Sequence, residues 1–139
     1  MPSIQELWAA SAVQAAHVRD NLVAACTLIK KPHAWTQGCY ARRADGIACN
    51  VFAHSAACFC AIGALCKITG RCVEREVVEE LELALLFKAA GADVGSFNDG
   101  HSHAEVMSMY HRAIAMAGAA VARPGPFIKA ESAWSRRLE

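Results

Sequence analysis

At 139 residues, with 55% hydrophobic side chains but only 7% aromatic ones, the chain has material for one closely packed helical core and too few large rings for a thick β-sandwich. Fourteen basic residues against thirteen acidic ones leave a formal charge of +1, so the long-range field that gathers nucleic acid or an anionic membrane is missing, and neither is expected as a partner. The expected class is all-α or mainly α: a single domain over residues 1–139, built as a compact bundle of about four helices, with an irregular segment or short hairpin at 32–50.

Ser3 and Glu6 form a capping box, and Ile4, Trp8, Ser11, Ala15, Val18, Leu22, Ala25 and Ile29 follow at alternating spacings of four and three. This predicts an amphipathic helix over 3–29, stopped by Lys30-Lys31-Pro32. Beyond Pro32 the character changes, with Trp35, Gln37, Gly38, Tyr40 and Arg42-Arg43 preceding the turn-forming pair Asp45-Gly46. Ile47 to Cys66 then carries no Asp, Glu, Lys or Arg, but Asn50, His54, Ser55 and Gly63 interrupt it; it reads as leading into a buried central helix from about Ser55 to Thr69, closed by Gly70.

A third helix over 73–90 is expected from the stripe Val73, Val77, Val78, Leu81, Ala84 and Leu85, with Glu74, Arg75, Glu76, Glu79, Glu80 and Glu82 on its polar side. A second stripe of Leu83, Leu86 and Phe87 also needs cover, from a neighbouring element or a second copy of the chain. Ser102 and Glu105 make another capping box, and Val106, Met109, Tyr110, Ala113 and Ala117 mark the inner face of a last helix, with Gly118 and Ala122 placed for a close helix approach. That helix stops at Arg123-Pro124-Gly125-Pro126; the tail with Phe127 and Trp134 is expected to fold back, and Leu138-Glu139 has the look of a cloning scar.

Three segments together, "WTQGCYARRADG" at 35–46, "FCAIGAL" at 59–65 and "FNDGHSHAEVMSMYHRAI" at 97–114, resemble a family of small, functionally uncharacterised bacterial and phage proteins with W-x-Q-G, C-A-x-G-A-L and N-D…H-x-E-V motifs. The likeness spans residues 5–115; Arg42-Arg43 and the cysteines at 58 and 66 depart from the pattern. The resemblance implies a compact, largely helical domain and no established activity.

Seven cysteines at 26, 39, 49, 58, 60, 66 and 72 contain no C-x-x-C pair, and Glu6, Arg19 and Asp20 break any signal-peptide core. A reducing cytoplasm, with most thiols acting as small hydrophobes, fits this pattern.

Three chemistries compete for the loop at 96–103. Asn98 and Asp99 are turn formers and Ser102 a helix cap, which explains them without function. His101, His103 and His111, with Asp99 or Glu105, have the residue types for a divalent metal but not the regular spacing of a zinc hydrolase, so no metal or other cofactor is required. If Ser55 starts the central helix, Cys58 falls in its first turn where amide dipoles favour thiolate, and Cys58 or Cys60 with His101 or His103, with Gln37 before the cysteines and Asn98 or Asp99 beside the histidines after them, parallels the residue set of a cysteine hydrolase. The reading preferred over both is a non-catalytic binding or regulatory module, in which Trp35, Gln37, Tyr40, Arg42, Asn98, Asp99, His101 and His103 line a surface for a protein or small-molecule ligand. Apolar excess on the helices at 3–29 and 73–90 predicts a homodimer.

Overall fold

The computed structural model describes residues 12–71 and 81–122. Within these, five α-helices accompany a small two-stranded sheet: α1 (Ala12–Leu28), β1 (Ala41–Arg43), β2 (Ala56–Phe59), α2 (Ala61–Thr69), α3 (Leu81–Ala90), α4 (Val94–Gly100) and α5 (His103–Ala122), with a 3-10 turn at Pro32–Ala34. The protein is therefore mainly helical, as its composition predicts. The capping box at Ser3, the stripe at 73–80 and the tail beyond Ala122 lie outside the described residues.

The helical core is where the heptad-like spacing places it. Ala15, Val18, Leu22 and Ala25 are buried on one side of α1, with Ile29 buried just past its end, and Val106, Met109, Tyr110, Ala113 and Ala117 are buried on α5. These two faces pack along one another; α3 lies against α5, and α2 against α1. Leu83 and Leu86 are also buried, so the chain itself covers most of the second stripe of α3, while Phe87 stays exposed at 42%.

Glu82 corrects its expected place on a polar face. Only 4% of it is exposed, and its Oε2 accepts a 2.8 Å hydrogen bond from Asn21 Nδ2 of α1. Such a carboxylate is tolerated where a polar partner meets it, and the bond joins α1 to the first turn of α3. On α5, no described residue makes the close approach that Gly118 would allow: a Cβ there would meet none of their atoms within 4 Å.

The largest departure concerns the apolar run after Ile47. Residues 56–59 are not the start of a helix but a strand, paired antiparallel with β1 in the register Ala41↔Phe59, Arg42↔Cys58, Arg43↔Ala56, with Ala57 left over as an irregularity between the last two pairs. On its other side β1 meets Ala48 through an isolated bridge, and the chain reverses at Asp45-Gly46, where Gly46 N donates to Arg43 O. The short hairpin foreseen within 32–50 is thus present. Apolar periodicity cannot tell a short buried strand from a buried helix, and here long-range backbone pairing decides.

Helix α2 begins only at Ala61. Cys60 is its N-cap, accepting from Gly63 N at Sγ (3.3 Å), and Gly70 closes it in the left-handed conformation at φ 74°. The first turn is pressed onto β1: Cys60 N donates to Tyr40 O (3.1 Å), and a Cβ on Gly63 would stand 2.0 Å from that same carbonyl oxygen. Only glycine fits a backbone-to-backbone approach of that kind.

Residues 94–100 correct a second expectation, since they form a short helix rather than a loop. Gly95, Ser96, Asn98, Asp99 and Gly100 are poor helix formers, which is why the sequence hides it. Asp93 supplies the cap, its Oδ2 accepting from Ser96 N at 3.0 Å. Asp93 is inconspicuous in the sequence because Ser96, not a Glu or Gln, stands three residues later, so no reciprocal capping box marks the start.

Candidate functional site

Asn98 sits at the centre of the polar architecture and is fully buried. Its Oδ1 accepts from Trp35 Nε1 (2.8 Å) and from Ala61 N (2.9 Å); its Nδ2 donates to Thr36 O (3.0 Å) and to Asp99 Oδ1 (3.1 Å). An asparagine amide offers two donated protons and two acceptor lone pairs, and here every one is used. One side chain thereby ties the segment after α1, the first amide of α2 and the end of α4 together.

Gln37 extends the tie. Its Nε2 lies 3.0 Å from Asn98 O, 3.3 Å from Asp99 O and 3.0 Å from His101 O, so a single amide group serves the carbonyls at the end of α4. In return Gly38 N donates to Asp99 Oδ1 at 2.9 Å. Arg42 braces the other flank: Nε donates to Thr36 Oγ1, and the two terminal nitrogens to Gly46 O and Gln37 O. Its neighbour Arg43 pairs with exposed Asp45, whose carboxyl is held below the usual carboxylate range chiefly by that guanidinium.

The two histidines of the loop sequence are both turned towards carbonyls. His101 Nδ1 meets Phe97 O at 2.9 Å, with its ring stacked on the Phe97 ring at a centroid distance of 3.8 Å. His103 Nε2 meets Ile29 O at 2.7 Å, just past the end of α1, and its ring lies 5.4 Å from Trp35. A carbonyl accepts only, so each of these nitrogens carries the proton and each ring satisfies a carbonyl left orphaned where a helix ends. Arg112 does the same for Ala89 O near the end of α3. His111 is exposed on α5, and among the described residues no group of three or more His, Cys, Asp or Glu is placed to hold a metal ion.

Ser102 and Glu105 form the reciprocal box that their spacing predicts. Glu105 N donates to Ser102 Oγ (3.2 Å), and Ser102 N donates to Glu105 Oε1 (3.0 Å). Ser102, through its backbone N–H foremost and its side chain next, holds the Glu105 carboxyl below its ordinary value. The sign follows: the box is intact while Glu105 is ionised and weakens as pH falls through its lowered titration.

The thiols stand differently from the arrangement a hydrolase needs. Cys58 lies in β2, not in a helix's first turn, and its S–H points to Arg42 O at 3.8 Å; the helix-dipole reason for its reactivity does not apply. Cys60 is buried, and that burial, above all else, pushes its thiol up from 9.0 to about 11. The amides of Ala61 and Gly63 at the start of α2 are committed to Asn98 and Cys60. Tyr110 completes this wall, donating its buried hydroxyl to Ala61 O at 2.7 Å.

Of the residues singled out from the sequence, the fold brings Trp35, Gln37, Arg42, Asn98, Asp99, His101 and His103 into one connected region, with Tyr40 beside it at 45% exposure. His111 takes no part in the contacts of that region. Sequence reasoning missed Thr36 as a junction and Ile47 and Phe52 as outward side chains, 54% and 46% exposed. Both apolar residues fall in or beside the uncharged run that reads as leading into a buried helix, so nothing local reveals their exposure.

Fold and site together define a mainly helical protein with a small sheet, in which one buried asparagine ties the segment after α1 to the start of α2 and the end of α4. The chain belongs to a family of unknown function (DUF6197), whose model matches residues 13–116. No curated protein and no solved structure matches it.

Proposed function

We propose that this protein is a binding or regulatory module that works without covalent catalysis, presenting a surface built on residues 35–42 and 98–103 to a protein or small-molecule ligand. The observation that carries this reading is the division of labour in that region. Side chains with chemical capability, namely Trp35, Gln37, Arg42, Asn98 and both histidines, spend their hydrogen bonds on backbone groups or on one another. Those facing outward include the large apolar Tyr40, Ile47 and Phe52. A rigid frame with apolar side chains on its outer face suits recognition better than proton transfer.

Cys60 supports the same choice over a cysteine hydrolase, because a buried thiol with a raised pKa holds almost no thiolate at neutral pH. We further propose a cytoplasmic homodimer that uses the outer faces of α1 and α3, where Val23 and Phe87 are 43% and 42% exposed. Among the described residues no helix is long and apolar enough to cross a membrane.

Timed alkylation with iodoacetamide near neutral pH, read by peptide mass spectrometry, tests the non-catalytic reading. Slow labelling without an outlier is expected, and rapid selective modification of Cys58 or Cys60 would replace it with the hydrolase. A native mass spectrum tests assembly: twice the chain mass is expected, a monomer at high concentration would overturn the dimer, and a retained adduct would identify a ligand or metal.

A further inference from the structure

We draw no further inference here: the strongest candidate, the exposed apolar side chains of Tyr40, Ile47 and Phe52 around the β1–β2 hairpin, belongs to the surface already described and carries no partner class because nothing in the structure shows what covers it.

Discussion

Truncating Asn98 to alanine tests the central tie directly. The substitution removes both acceptor positions and both donors at once, stranding Trp35 Nε1–H, Ala61 N–H and Thr36 O. Ala61 is fully buried, so its amide bears the whole desolvation penalty, whereas Trp35 and Thr36 are half-buried and recover part of theirs from water. At about 1–3 kcal/mol per stranded buried group, the expected loss is roughly 3–5 kcal/mol. Against a typical stability of about 5–15 kcal/mol, that is a large fraction of the whole. Urea unfolding followed by far-ultraviolet circular dichroism measures it, with Asn50→Ala as the control. Asn50 Oδ1 accepts from Phe52 N at an exposed turn, so its loss should cost under about 1 kcal/mol. Asn98→Asp should be at least as damaging at pH 7, since it keeps two acceptors but turns a carboxylate towards Thr36 O and Asp99 Oδ1. If Asn98→Ala unfolds within about 1 kcal/mol of the parent with an unchanged denaturant slope, the tie is not structural and its polar groups must be sought in ligand binding instead.

Two glycines separate close approach from mere small size. Gly63→Ala forces a Cβ onto Tyr40 O and should lower the melting temperature by many degrees or prevent folding, while Gly118→Ala, on α5 with no described neighbour within 4 Å of the new Cβ, should stabilise by roughly 0.5–1 kcal/mol; thermal melts of the pair showing no difference would refute the packing at α2. Ser102→Ala should cost about 1 kcal/mol by loss of the cap, and His103→Ala a similar amount by stranding Ile29 O, both read by urea unfolding. Cys60 sets an alkaline limit. The unfolded thiol loses its proton near 9 while the folded one holds it to about 11, so stability should fall between those pH values, by about 2–3 kcal/mol in all. Buried Tyr110, also pushed upward, acts in the same direction, and Cys60→Ala should flatten the lower part of that decline in a pH series of unfolding curves.

The legible part of this fold is the part governed by local period. Val18, Leu22 and Ala25 on one helix, and Val106, Met109 and Tyr110 on another, are buried because residues three and four apart share a helical face. Residues 56–59 were illegible because a strand in this place depends on Arg42 and Ala41 across the sheet, partners that no window around Cys58 contains. Glu82 fails for the same reason: its burial depends on Asn21. The site divides along that line as well. Trp35, Gln37, Asn98 and Asp99 stand out in sequence as unusual residues, and the fold does join them, but only the paired atoms reveal that Asn98 is saturated internally. The capping box at Ser102 and Glu105 was readable because both partners lie within one turn.

Saturation at Asn98 also constrains what evolution can place there. Aspartate and leucine resemble asparagine in outline, yet the first supplies no donors when ionised and the second no polar atoms at all; glutamine has the right amide but a longer stem. No alternative side chain reproduces two donors and two acceptors at that distance from the backbone of α4. Ile47 and Phe52, apolar and 54% and 46% exposed, have side chains with no polar atoms to satisfy. The position of Asn98 is thus closed to substitution by the count of its bonds alone, whatever the outward side chains do.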